Sequence, residues 1–312
     1  MTRVLTRSDL EAVLDPSACL AALREGFPAA DAAEVAGQRV RTDLPFPGTA
    51  TALIPGVLPG VAAYTVKVNA KFPNARPALR GVICLHAGAD GELLALLDSA
   101  TVTAWRTGLA AALGTDLLSR PDPGAVIGVV GAGAQAELMV RGLRALGRRG
   151  ELVVHDTDPG RAAAFAERHG GKVAASAAEV AAGADIVLLA TWSRAPLLGL
   201  ADARPGQHFT TLGADEPGKQ ELAADLLRAA LLVVDDREPA AAMGALAAAG
   251  LPASAADATL GDVLRGDHPG RTGDGLTVYA PVGLPWQDLC LSWAAYREAE
   301  RRGAGIDVDL LS

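Results

Sequence analysis

Aromatic side chains are scarce, at 4% of the 312 residues, so the interior has to be filled by Ala, Val and Leu rather than by stacked rings. Cysteine is nearly absent. Cys19, Cys84 and Cys290 are odd in number, far apart and flanked by apolar residues, which excludes a disulfide scaffold and fits buried thiols in a reducing cytoplasm. No Cys-x-x-Cys or Cys/His cluster occurs, so no metal site is expected. A basic excess is also lacking: 28 Lys and Arg stand against 36 Asp and Glu, a formal charge of −8. That balance argues against nucleic acid or an anionic membrane as partner and is ordinary for solubility. There is no unbroken apolar run of about 20 residues to span a bilayer. The first residues, Met1-Thr-Arg-Val-Leu-Thr-Arg-Ser, lack the apolar core of a signal peptide, so a cytoplasmic location is expected. Ser193 has no Gly-x-Ser-x-Gly elbow, which leaves serine-hydrolase chemistry without a basis. No internal repeat is visible.

What is present centres on Ala125–Val140. Val126, Ile127, Val129 and Val130 form a β-branched run that reads as a buried parallel strand. Gly131-Ala132-Gly133-Ala134-Gln135-Ala136 then matches the G-x-G-x-x-G/A turn of a dinucleotide-binding βαβ unit. Gly131 suits the tight turn, Gly133 lets a pyrophosphate approach the backbone, and Ala136 lets the new helix pack close to the strand. The helix expected from Gln135 to Leu146 aims free N–H groups and its positive end at the phosphates. A second strand, Glu151–Asp156, ends in a carboxylate 23 residues after Gly133, where an acid binds the adenosine ribose hydroxyls. That points to NAD(H). Arg161 nearby keeps NADP(H) as the alternative, because it suits a 2′-phosphate.

Residues 1–30 read as two helices, capped at Ser8 and Asp15. Residues 35–100 carry short strand-like runs between Pro and Gly turns, which predicts an antiparallel sheet or small open barrel. Asp90-Gly91 marks a hairpin turn, and a helix follows over Ser99–Leu118. Ser119–Gly124 cannot continue that helix and marks a boundary. Beyond it, strands are expected at 125–130, 151–155, 172–174, 185–190, 207–212 and 231–235, alternating with helices in a parallel sheet. Their carboxyl ends share one ligand-binding edge, and both Thr191-Trp-Ser193 and Gly213-Ala-Asp215 fall there. A last helix is expected over Leu289–Arg302. The fold class is α/β: a Rossmann-type domain at 120–287 inserted in an α+β domain made of 1–119 and 288–312.

Further segments, in order, resemble the ornithine cyclodeaminase/μ-crystallin family. They are Arg41-Thr42, Leu53-Ile-Pro-Gly56, Thr65-Val-Lys-Val-Asn-Ala-Lys-Phe-Pro73, Gly91–Asp98, Thr103–Gly108, Ala184–Val187, Gly213-Ala-Asp-Glu-Pro-Gly-Lys-Gln-Glu-Leu222, Thr277–Gly283 and Gln287-Asp288. The stretch from Gly213 to Leu222 is the most specific. The resemblance implies that the outer domain binds substrate and forms a homodimer through its sheets. It also implies hydride exchange between cofactor and the α-carbon of an amino acid.

On that resemblance Arg41, Lys67 and Arg106 match the carboxylate-binding positions, and Arg's fork suits a carboxylate. Lys67, among cations and partly desolvated, is expected to have a lowered pKa and to serve as acid/base. Asp215 matches the catalytic aspartate, with a helix N-cap as the plain alternative. Glu221 reads as part of that cap. Thr107 is expected at the cofactor phosphate, and Thr191 and Gly213 at its ribose or nicotinamide side. His155 reads as structural, and His86 and His208 are given no role.

Ornithine-type members have Glu-Leu-Met-Pro where this chain has Ala52-Leu53-Ile54-Pro55, and that Glu suits a distal amine. The chain is also short for a cyclodeaminase. The favoured expectation is therefore an NAD(H)-dependent imine reductase or amino-acid dehydrogenase acting on a small α-imino/α-amino acid. The alternatives are ornithine or lysine cyclodeamination with recycled NAD, and a non-catalytic crystallin-like ligand-binding protein.

Overall fold

The computed structural model describes residues 1–30, 38–72, 74–75, 77–214, 216 and 218–310. The chain runs through β1 (Thr2–Leu5), α1 (Arg7–Val13), α2 (Pro16–Ala30), β2 (Gln38–Asp43), β3 (Thr49–Gly56), β4 (Ala63–Lys71), β5 (Leu79–Ala87), β6 (Leu93–Asp98) and α3 (Ser99–Leu118). Then come β7 (Ile127–Val130), α4 (Ala134–Ala145), β8 (Leu152–His155), α5 (Pro159–His169), β9 (Lys172–Val173), α6 (Ala177–Gly183), β10 (Ile186–Leu189) and β11 (His208–Thr211). Next are α7 (Ala224–Ala229), β12 (Leu231–Val234), α8 (Arg237–Met243), α9 (Ala245–Ala248), β13 (Ala258–Thr259), α10 (Leu260–Arg265) and β14 (Thr277–Tyr279). The last elements are α11 (Pro285–Arg302) and β15 (Ile306–Val308). The chain divides into two compact units, 1–106 with 284–312, and 107–283, with one division inside α3.

The first unit is built on an open seven-stranded sheet in the order β15-β1-β6-β5-β4-β3-β2. All neighbours are antiparallel except β1 and β6. Period-2 alternation sorts its side chains. Leu53, Thr65, Lys67, Ile83, Leu85 and Leu97 are buried, whereas Val40 and Val68 on the opposite face are about half exposed. Helix α11 packs against α2, β3, β4 and β5. Two expectations change here. Thr2–Leu5 is a strand, not helix, because Thr2 and Leu5 bury beside β6; four residues are too few for periodicity to show it. The cap of α1 is Thr6 rather than Ser8, since Thr6 and Asp9 exchange backbone N–H bonds in a capping box.

The second unit is an eight-stranded, all-parallel sheet in the order β13-β12-β14-β11-β10-β7-β8-β9. Its strands start and stop within about two residues of the expected limits, because apolar runs buried on both faces are legible as such. Strands β13 and β14 are additional to the six expected; β13 forms the edge beside β12, and β14 slots between β11 and β12. The strand order reverses at β7 and β10, which opens a ligand crevice at their carboxyl ends. His208 is wholly buried in this sheet between Thr277 and Thr210, each 2.8 Å from a ring nitrogen, so it is structural. Burial, aided by Arg271 and Arg148, holds its pKa well below the usual range.

Candidate functional site

In the first unit a charged cluster lies under the sheet. Lys67 projects from β4 on its buried face and is 1% exposed. Its Nζ donates to both carboxylate oxygens of Asp288, 2.7 Å each, and to Thr103 Oγ1 at 3.3 Å. Arg106, also buried, donates from Nε to Asp288 Oδ1 at 3.3 Å and from Nη1 to Gln287 Oε1 at 3.4 Å. Two cations thus share one buried anion. Burial lowers the Lys67 pKa to about 8; Asp288 opposes that shift, while the Arg106 and Arg39 charges reinforce it. The Nε2 of Gln287 is buried without a partner, an unmet donor beside Arg106. Cationic donors and a group of lowered pKa thus stand side by side, the chemistry needed to hold an anion and to exchange a proton.

Asp288 and Gln287 join this cluster although the sequence pattern assigns them no role. Pro285 starts α11 four residues before the expected Leu289, and Pro is well suited to that first position. The helix then buries seven consecutive residues, Trp286 to Ser292, and the polar pair is turned inward with them. The signal available was the Gln287-Asp288 pair just inside a Pro-led helix. Arg39 was also passed over: the strand register runs Arg39–Leu53–Lys67, which puts it on Lys67's face. Arg41 sits on the same face one pair further along, opposite Thr51, but is exposed and ion-paired to Asp43 at 2.9 Å. The structure therefore brings together Lys67 and Arg106 but not Arg41. Ala52 pairs with Val68, on the face away from Lys67, so an acid there would not point toward this cluster.

In the second unit the Gly turn follows β7 as expected. Gly131 has φ +93°, and a Cβ there would lie 2.6 Å from Ala190 O, so only glycine fits. At Gly133 the opposite holds: a Cβ would meet no heavy atom within 4 Å, which leaves the space a phosphate needs. Gly133 is the N-cap of α4 and supplies no side-chain cap, so the first-turn N–H groups are open to an anion. Glu137, an acid in that first turn, is turned to Arg168 at 2.8 Å and His169 at 2.9 Å. Burial works to raise its pKa, but those two partners pull it below the usual value, so its charge is matched. Gln135 Oε1, in the same turn, is buried with no partner. A dinucleotide fits these residues.

Asp156, just beyond β8, accepts from the Ala132 N–H at 2.8 Å and the Asp158 N–H at 2.9 Å, so the acid sits against the turn. Arg161 stands 3.5 Å from it. Thr107 precedes Gly108, whose missing side chain lets α3 cross the first turn of α4 at Gln135 and Leu138. Thr191 and Gly213 are drawn together by Glu221, which is fully buried. Its Oε1 accepts from Thr191 N (2.6 Å) and Oγ1 (2.7 Å), and its Oε2 from Thr211 Oγ1 (2.6 Å) and Gly213 N (2.7 Å). Glu221 is therefore not a helix cap. Asp215 lies outside the described residues. Among the described residues no cluster of His, Cys, Asp and Glu is arranged to hold a metal, and no helix is long and apolar enough to cross a membrane.

The family model of the ornithine cyclodeaminase/mu-crystallin family matches residues 1–303. The chain belongs to that family. It is 30% identical to the alanine dehydrogenase of Archaeoglobus fulgidus, over 74% of this chain and 74% of that one. Its fold is similar to an archaeal alanine dehydrogenase dimer with bound NAD, with a TM-score of 0.92, 26% identity and 99% of each chain covered. It is also similar to Thermococcus litoralis Δ1-pyrroline-2-carboxylate reductase in complex with NADH and L-proline, with a TM-score of 0.91 and 25% identity, covering 98% of this chain and 100% of that one. These family members share both the sheet that carries Lys67 here and the Rossmann unit.

Proposed function

We propose that this family member is an NAD(H)-dependent imine reductase/amino-acid dehydrogenase that interconverts a small α-imino acid and the corresponding α-amino acid. The observation that carries this is the buried Lys67, held by Asp288, which Arg106 shares, in a chain whose other unit has an open dinucleotide turn. Bound NAD(H) supplies or accepts the hydride at the substrate's α-carbon. Gly131, Ala132, Gly133, Ala134 and Gln135 receive the pyrophosphate, Asp156 the adenosine ribose, and Thr107, Thr191 and Gly213 frame the rest.

The remaining work falls to the chain's own side chains. Arg106 and the unmet Nε2 of Gln287 bind the substrate carboxylate. Lys67 Nζ, with a pKa of about 8, delivers a proton to the nascent nitrogen in reduction and removes it in oxidation. Asp288 keeps that ammonium charged until it is needed. Arg41 is a further carboxylate contact proposed from the resemblance, and Asp215 is proposed to orient the amine or imine. The outer domain acts as substrate and dimerisation domain, 1–119 with 288–312 around 120–287. The half-exposed Val40 and Val68 on the outer sheet face support a homodimer. The three unpaired cysteines support a cytoplasmic setting, and burial pushes Cys19 and Cys290 up to about 12.

The test is loss of NADH absorbance with ammonium and a panel of 2-oxo acids (glyoxylate, pyruvate, oxaloacetate), with preformed cyclic imines alongside. NADH consumption with one of them is the expected result. Ammonia released from ornithine or lysine with catalytic NAD, without net NADH, would instead establish cyclodeamination. Ala52 gives no reason against that outcome, since it faces away from Lys67. Silence in both assays overturns the enzymatic reading.

A further inference from the structure

Glu221 is a buried carboxylate that the chemistry above does not use. Its side chain joins the segment leaving β10 to β11 and the segment leaving it, through four hydrogen bonds of 2.6–2.7 Å. Its backbone is fixed to the same region: its carbonyl accepts from Leu197 N at 2.8 Å, and Leu198 bridges to Leu222. Gln220 N donates to Ser193 O and Ala223 N to Leu198 O, so the residues on both sides of Glu221 are also tied to the loop after β10. The packing leaves no slack: a Cβ on Gly213 would fall onto the Glu221 carboxylate and the Thr191 carbonyl.

The donors define the charge state. Two of the four are backbone N–H groups, which can only donate, and each carboxylate oxygen already receives two bonds. Burial pushes the Glu221 pKa up, and only hydrogen bonds from Thr211, Thr191 and Gly213 offset it. An apolar residue of similar size would avoid that cost altogether. A buried charge satisfied entirely by donors rigidifies what it touches. What it touches is the carboxyl edge beyond β10 and β11, in the second mononucleotide half of the sheet. The Gly turn and Asp156 belong to the first half.

We infer that Glu221 is a positioning residue for the nicotinamide half of the cofactor, setting Thr191 and Gly213 against one another without touching the reacting atoms. The Thr191 hydroxyl gives its hydrogen to Glu221 and accepts from Ser193 N at 3.2 Å, so Thr191 acts as a shaped wall more than as a donor. This rests on the NAD(H) reading.

The experiment compares binding of NADH and of ADP-ribose, which lacks the nicotinamide, to the full-length protein and to Glu221→Gln. Glutamine keeps the shape but sets an amide donor against donors. The expected result is that NADH binds about tenfold more weakly while ADP-ribose affinity stays within twofold. Equal loss of both ligands would mean general damage to the unit and would overturn the inference, as would unchanged NADH binding. If Glu221→Gln does not fold, Thr211→Val removes one donor and leaves three. It is expected to show the same selectivity at about threefold, and an unselective or absent effect there overturns the inference equally. Failure of the wild-type protein to bind either ligand would refute the NAD(H) reading itself, which is a different result from any of these.

Discussion

Each unit of this molecule buries one carboxylate at its centre of interest, and the two are compensated in opposite ways. Asp288, 1% exposed, faces cations: Lys67 at 2.7 Å and Arg106 at 3.3 Å. Glu221, with no exposure, faces only neutral donors among the described residues. The ion-paired acid sits beside the Lys67 ammonium, and its charge makes Lys67 hold its proton more tightly than burial alone would allow. The donor-bound acid has no titrating partner among those four bonds, so its effect is geometric. On the proposed roles, one functional group serves a movable proton in one unit and a fixed wall in the other, distinguished only by what surrounds it.

The sharpest way to break this comparison is at its reactive member. Lys67→Ala is expected to lower turnover by about 10³-fold or more while NADH affinity, measured by fluorescence titration, stays close to wild type. Retained turnover would remove Lys67 from the chemistry. Asp288→Asn takes away the group that opposes burial, so Lys67 loses its proton at a lower pH. Reductive turnover needs the ammonium and falls as pH rises through about 8 in the wild type; the fall should move to lower pH in the variant. Breaking this buried pair should also cost about 3 kcal/mol, read from urea midpoints.

The wild-type linkage has a definite sign. The unfolded chain holds the Lys67 proton up to about pH 10.5 and the folded chain only to about 8, so the Lys67 contribution to stability rises with pH between them. Lys67→Met should flatten that rise.

The glycine pair sharpens the contrast between shape and binding. Gly131→Ala is expected to lose about 1–3 kcal/mol of stability, because its φ of +93° and the nearby Ala190 carbonyl leave no room. Gly133→Ala should leave the melting temperature almost unchanged yet weaken NADH binding about tenfold, because its Cβ occupies only the ligand's space. Equal destabilisation by both would refute the division. The smallest effect is expected from Thr103→Val, which removes one 3.3 Å bond from Lys67 and should change kcat/KM by about threefold or less.

How much of this was legible follows from distance along the chain. The dinucleotide turn uses residues between Ile127 and Asp156, so strand, glycines and acid could be read in one window, and the structure gives them the expected places. The Lys67 cluster draws on positions 67, 103, 106, 287 and 288, and no local pattern says that α11 returns to β4. Strand alternation did contain the fact that Ala52 and Lys67 lie on opposite faces, but only once the β3–β4 register was known. Glu221 was misjudged for a related reason. Ten residues after the end of β11, with Pro and Gly between, it has the spacing of a cap, and only burial distinguishes a cap from a strut. Residues 2–5 and 306–308 were too short to announce themselves as strands; they pair with one another across the whole sequence.

That last pairing bears on how the molecule is made. The Rossmann unit is an unbroken segment, 107–283, whereas the other unit needs residues on both sides of it. On the ribosome, the cofactor-binding half has therefore emerged in full while Lys67 still lacks its counter-ion and β1 its outer neighbour. Synthesis thus delivers the segment of the dinucleotide fold first and the Lys67 cluster last, when α11 and β15 arrive. Until then the sheet face that carries Lys67 lacks the helix that buries it, and the lysine keeps both its water and its ordinary affinity for a proton.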